Sequence, residues 1–130
     1  MESAHTHRSP ERLKIMIVED NEKVRGLIRY ALSGDFESII ECADGADALE
    51  TYMEHHPDLV FMDIQMPRLD GLSATRLLRE YDPSAKIHIL TDYDEDVLGT
   101  VAEAVGACGY TSKVNLHELG MIVSQYADRM

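Results

Sequence analysis

Apolar residues in this chain fall in short solid runs, separated by longer stretches in which they recur at every third or fourth position. Leu59 to Met62 is apolar without interruption, the pattern of a strand covered on both faces in the middle of a parallel sheet. Leu13 to Val18, Lys86 to Leu90 and a shorter stretch around Cys108 to Thr111 read the same way. Phe36 to Cys42 is less apolar and is expected nearer an edge. Between the runs, Val24, Leu27, Ile28, Ala31 and Leu32 repeat at helical spacing, with Asn21 as N-cap and Gly34 as the stop. Asp44-Gly45 turns the chain into a helix over Ala46 to His56, whose apolar face holds Leu49, Tyr52 and Met53 and which Pro57 follows. His55 and His56 suit the carbonyl end of that helix. Leu72 to Tyr81, closed by Asp82-Pro83, and Asp94 to Val105, ended by Gly106, predict two more helices, the latter with Val97, Leu98, Val101, Ala102 and Val105 on one face. Leu116, Leu119, Ile122, Val123 and Tyr126 line a closing helix. Five strands alternating with five helices, on short connections, predict an α/β fold with a doubly wound five-stranded parallel sheet.

That alternation brings particular side chains to one rim. Glu19-Asp20 follows the first run, Asp63 the third, Thr91 the fourth and Lys113 the fifth. Pro67 and Gly71 punctuate the loop after Asp63, so this acid sits at the carboxyl edge of the sheet, where ligands bind in open α/β folds. If the three carboxylates meet, each ionised pair at about 4 Å repels by roughly 4 kcal/mol at an effective dielectric near 20. A hard divalent cation relieves this with oxygen ligands, and Mg²⁺ needs only one or two carboxylates. Lys113 adds a further positive charge. The same grouping suits carboxylate attack on phosphorus to give an acyl phosphate, with cations and a hydroxyl holding the equatorial oxygens. Metal binding alone does not require Thr91 and Lys113.

Composition narrows the class. The 130 residues suit one domain, and the formal charge of −12 argues against a direct nucleic-acid contact. Cys42 and Cys108 lack metal or redox spacing and read as small buried hydrophobes of a reduced, cytoplasmic protein. No apolar run is long enough to span a membrane and no signal peptide pattern is present. Residues 1–12 are polar and predict a flexible tail, leaving 13–130 as the domain; His5 and His7 there have no fixed geometry for a metal. Each rim residue also has a plainer reading. Glu19-Asp20 can lead into a capped helix, Tyr110 can be half-buried sheet packing, and Asp92, Asp94, Glu95 and Asp96 suit an exposed helix N-terminus.

With Met66-Pro67 and Asp70-Gly71 following the central acid, the chain resembles the receiver domain of two-component response regulators over about Arg12 to Asp128. The resemblance implies a flavodoxin-like strand order 2-1-3-4-5. It implies Asp63 as phosphoacceptor from a sensor histidine kinase, a phosphotransfer protein or a small phosphodonor. It implies Glu19, Asp20, Asp63 and the backbone carbonyl of Gln65 as ligands of Mg²⁺, with Mn²⁺ an alternative. Lys113 becomes the phosphoryl-binding lysine, Thr91 the switch hydroxyl and Tyr110 the aromatic switch that turns when Thr91 moves. Ile64 and Asp92 become modulating positions. The output is then the surface of the fourth helix, fifth strand and fifth helix, acting on an effector protein, on an output domain or through a homodimer formed on phosphorylation. Such a protein is not a conventional enzyme, because its chemistry is on itself.

Two departures stand out. Lys113 is followed by Val114, where the family commonly has a proline, so a trans peptide and a shifted lysine are expected. Asp92 stands where a small residue is common; pointing inward it slows phosphotransfer, and orienting a water it speeds loss of the phosphoryl group. Both readings stay open, as does the choice between a stand-alone receiver and part of a transcription factor, since Gly106 to Tyr110 resembles regulators with a helix-turn-helix output. A degenerate receiver acting only as an interaction module is the alternative. A phosphohydrolase of external substrates lacks its second acid at Gln65, and a flavin carrier lacks its phosphate loop.

Overall fold

The computed structural model describes residues 13–32, 38–92 and 95–129, with only the backbone at 95–98. Its strands are β1 (Lys14–Val18), β2 (Ser38–Cys42), β3 (Leu59–Asp63), β4 (Ile87–Thr91) and β5 (Gly109–Ser112). Its α-helices are α1 (Glu22–Ala31), α2 (Ala48–His55), α3 (Gly71–Tyr81), α4 (Glu95–Ala104) and α5 (Leu119–Asp128). All strand pairs are parallel, in the order β2-β1-β3-β4-β5, as the family resemblance implies.

Alternation along each strand divides the core in two, because successive side chains leave opposite faces of a sheet. Met16, Val18, Val60, Met62, Ile87 and Ile89 face α2, α3 and α4, where Tyr52, Ala74, Leu78 and Ala102 close the layer. Leu13, Ile15, Ile17, Leu59, Phe61 and Leu90 face α1 and α5, meeting Ile28, Leu32, Leu119 and Val123. Every residue of β3 is buried, which is why that run carries no polar interruption before Asp63. Each fully buried large aliphatic contributes about 1.5–3 kcal/mol.

Local signals hold in most places. Asn21 caps α1 by accepting from the Val24 N–H at 3.1 Å, and Asp70 caps α3 by accepting from Ser73. β2 is an edge strand. Several expectations are corrected. The segment expected as a helix from Ala46 opens instead with a 3-10 turn, Gly45–Asp47, and the closing helix is preceded by another, Lys113–Glu118, which contains Leu116. Leu27 and Met53 do not face the core, being 59% and 45% exposed. A 3.6-residue period draws a stripe wider than the surface a flanking helix covers, so its outermost positions reach water. Cys108 is exposed at the entry to the edge strand β5, although its thiol donates to the Ile87 carbonyl; only Cys42 is a buried hydrophobe. The expected tail 1–12, the Gly34 stop, Phe36 at the start of the second run and the inward faces of Val97 and Leu98 lie outside the described residues.

Candidate functional site

Four of the five parallel strands deliver chemistry to one rim because each ends just before or on a polar residue. β1 ends at Val18, and the Glu19 N–H continues the ladder by donating to the Cys42 carbonyl at 3.0 Å. The Glu19 side chain is 1% exposed, with Oε2 accepting from the Asn21 N–H at 3.1 Å. Asp63 closes β3, 5% exposed and in register with Leu90. Carboxylate oxygens of Glu19, Asp20 and Asp63 lie within 4.8 Å of one another.

Lys113 reaches into this group from the end of β5. Its Nζ is 2.8 Å from Glu19 Oε1, 2.9 Å from Asp63 Oδ1 and 4.0 Å from Asp92 Oδ2. The Lys113–Val114 peptide is trans, yet the lysine is not displaced from the acids as expected. The backbone turns into the 3-10 segment Lys113–Glu118, with the Ser112 hydroxyl accepting from the Val114 N–H, and this leaves Val114 82% exposed. Burial raises the pKa of Asp63, with Lys113 only partly offsetting it, and burial raises that of Glu19 in the same way. Burial pulls the Lys113 ammonium down, but the two carboxylates outweigh it and hold its pKa above the ordinary value.

These residues fit a hard divalent ion. Three carboxylates offer oxygens within 4.8 Å of one another, and the single Lys113 ammonium, 2.8 Å from Glu19 Oε1 and 2.9 Å from Asp63 Oδ1, leaves negative charge in excess, the donor set a small hard cation takes. A cavity of about 340 Å³ opens there, lined by Glu19, Asp20, Asn21, Asp63, Gln65, Asp92 and Lys113 among others. Thr91 and Tyr110 are not part of the cavity's described lining. Thr91 is buried at the end of β4, opposite Ser112 and next to Asp92, while Ile64 is buried directly after Asp63. Tyr110 is 37% exposed and lies against α4, where a Cβ added to Gly99 would come within 2.9 Å of the tyrosine hydroxyl.

Two supporting residues had not been singled out from the sequence. Arg25 on α1 donates to the Glu19 carbonyl at 2.8 Å and the Asp20 carbonyl at 3.3 Å, and pairs with Glu41 of β2. Asp44 accepts N–H bonds from Arg68 and Leu69 in the loop after β3. The Asp-Gly pair at 44–45 signalled a turn, but nothing along the chain pointed to partners on another loop.

A family model described as the response regulator receiver domain matches residues 15–123. The chain belongs to this family. The receiver is 39% identical over 100 residues to the chemotaxis protein CheY of Halobacterium salinarum, covering 77% of this chain and 83% of that protein. It is 34% identical over 116 residues to the response regulator GacA of Pseudomonas aeruginosa, covering 87% of this chain and 54% of that protein. Among solved structures, a two-component response regulator of the LuxR family from Aurantimonas sp. SI85-9A1 superposes with a TM-score of 0.81 at 33% identity, covering 91% of this chain and 87% of that one. The receiver thus spans most of the chemotaxis protein but only 44% of DegU of Brevibacillus brevis and 24% of AtoC of Escherichia coli.

Proposed function

We propose that this receiver accepts a phosphoryl group on Asp63 from a histidine kinase, a phosphotransfer protein or a small phosphodonor. The observation that carries this reading is the convergence of three carboxylates and the Lys113 ammonium on one rim. Glu19, Asp20, Asp63 and the Gln65 carbonyl would hold Mg²⁺, or Mn²⁺ in its place. The bound ion neutralises the carboxylates and draws charge from the phosphoryl oxygens.

Asp63 then attacks phosphorus. An oxygen–phosphorus bond forms, the bond to the donor's nitrogen or oxygen breaks, and its electron pair leaves with the donor. The Lys113 ammonium shifts from the carboxylate oxygens to the incoming phosphoryl oxygens, a donor already in place where negative charge gathers. Thr91 bonds a further phosphoryl oxygen, Tyr110 turns towards the space it leaves, and α4, β5 and α5 present a changed surface. Ile64 and Asp92 flank the acceptor and the hydroxyl and set the lifetime of the acyl phosphate. Receiver domains work with histidine kinases and output domains, so the readout here is an effector protein, an output domain or a phosphorylation-dependent homodimer, in the cytoplasm and without external substrate turnover.

Mass spectrometry after incubation with phosphoramidate or acetyl phosphate and Mg²⁺ tests this. The wild type should gain one base-labile phosphoryl group and Asp63→Asn none. Absence of the adduct with every donor would instead favour a phosphorylation-independent interaction module.

A further inference from the structure

We propose that Asp44 is a positioning residue for the divalent-ion site, acting on the loop between β3 and α3 without touching the ion. The role rests on the metal-dependent reading of the rim. Asp44 follows β2 and is 5% exposed. Its Oδ1 accepts from the Ala46 N–H at 2.9 Å and the Leu69 N–H at 3.0 Å, and its Oδ2 accepts from the Arg68 N–H at 3.1 Å. The Ala46 bond alone caps the 3-10 turn Gly45–Asp47. The other two reach a different loop, 24 and 25 residues along the chain, and serve no helix end. Burial works against the charge of Asp44, and the three N–H donors overcome it, keeping the carboxylate anionic.

That loop, residues 64–70, carries Gln65. Its base is tied by Gly71 N–H to the Ile64 carbonyl at 2.7 Å, and its tip is gripped by Asp44. The two loops touch so closely that a Cβ on Gly45 would lie 2.3 Å from the Leu69 carbonyl oxygen. The same end of β2 holds the other half of the cup, since the Cys42 carbonyl accepts from Glu19 N–H and the Cys42 thiol donates to the Asp44 carbonyl. Asp44 therefore links the loop of Gln65 to the strand end that fixes Glu19. Supports of this kind orient ligands that would otherwise be ordered only when the ion arrives.

Calorimetric titration with MgCl₂, on wild type, Asp44→Asn, Asp44→Ala and Asp47→Ala, reads this role. Loss of the carboxylate in Asp44→Ala should weaken Mg²⁺ binding by about tenfold or more, the usual effect of removing a ligand's support. Asp44→Asn keeps Oδ1 for Ala46 and Leu69 but turns an NH₂ towards Arg68, and should fall between. Asp47→Ala removes an exposed charge and the Arg68 ion pair but leaves the amides held, so its affinity should stay near wild type. In the Asp44 variants the Arg68 and Leu69 amides should exchange faster with solvent while those of β1 and β3 keep their protection. Phosphorylation by phosphoramidate should need more Mg²⁺ yet recover its rate at saturation. Equal affinity in wild type and Asp44→Asn, with unchanged exchange at Arg68 and Leu69, would overturn the role alone. A wild type that takes up no Mg²⁺ would overturn the metal reading and this role with it.

Discussion

Lys113 places one ammonium between two nearly buried carboxylates. In Lys113→Ala, Glu19 and Asp63 lose their counter-charge, which should cost on the order of 3 kcal/mol in the metal-free protein. A divalent ion replaces that charge, so the Mg²⁺-induced rise in Tm should be larger for the variant than for wild type. Equal rises in scanning calorimetry would show that the ammonium does not compensate the acids. Asp92 is a separate case, 4.0 Å from the same ammonium with a side chain 72% exposed. Its charge repels an incoming dianion, so Asp92→Asn should accept phosphoryl groups from acetyl phosphate on the order of threefold faster at low salt. Stopped-flow rates at rising ionic strength check this, since screening should erase the difference. Asp63, Lys113 and the acidic pair were legible because each closes an apolar run. Arg25 and Asp44 were not, because their partners are backbone atoms on other parts of the chain and no residue type announces such a contact.

At the scale of elements, one buried histidine ties β4 to β5 and α5. His88 of β4 is 4% exposed, its Nδ1 lying 2.8 Å from the Tyr126 hydroxyl of α5 and its Nε2 2.7 Å from the Thr111 hydroxyl of β5. Phe61 of β3 meets the ring edge to face. Burial alone lowers its pKa from 6.5 to about 4. The unfolded chain binds a proton at His88 below about pH 6.5, while the folded ring stays neutral, so stability falls as pH drops through this window by up to about 3 kcal/mol. Urea midpoints at neutral pH and at about pH 4.5 should therefore converge in His88→Phe relative to wild type. An identical pH slope in both would reject the buried neutral ring. Nothing in the periodicity marked this histidine, since it sits in an apolar run and only the register with β5 and the turn of α5 supply its partners. Strand and helix positions were readable from spacing. Their outer edges were not, as Leu27, Met53 and Cys108 show, because spacing reports which side chains share a face and not how far the neighbouring element extends over it.

At the scale of the molecule, parallel topology sends every strand's carboxyl end to the same side, and periodicity could show the alternation but not the order in which the strands lie. The order β2-β1-β3-β4-β5 puts the acids that follow β1 and close β3 at the ends of adjacent strands, with Thr91 and Lys113 at the ends of the next two. A two-state switch built on this sheet needs about 5.5 kcal/mol of differential interaction to move from 1:99 to 99:1. With beryllofluoride and Mg²⁺, amide chemical shifts should move on β5 and α5 as well as at the rim. Shifts confined to the rim would mean that no surface is switched.

The placement of the Lys113 ammonium also bears on how such a protein rests between signals. The chain brings its own cation to the acids, so a divalent metal binding there would meet carboxylates already partly neutralised rather than a bare negative cup. An affinity measured for such a metal would then be held down by the ammonium beside it, and any change that loosens the lysine's hold should register as apparently tighter metal uptake.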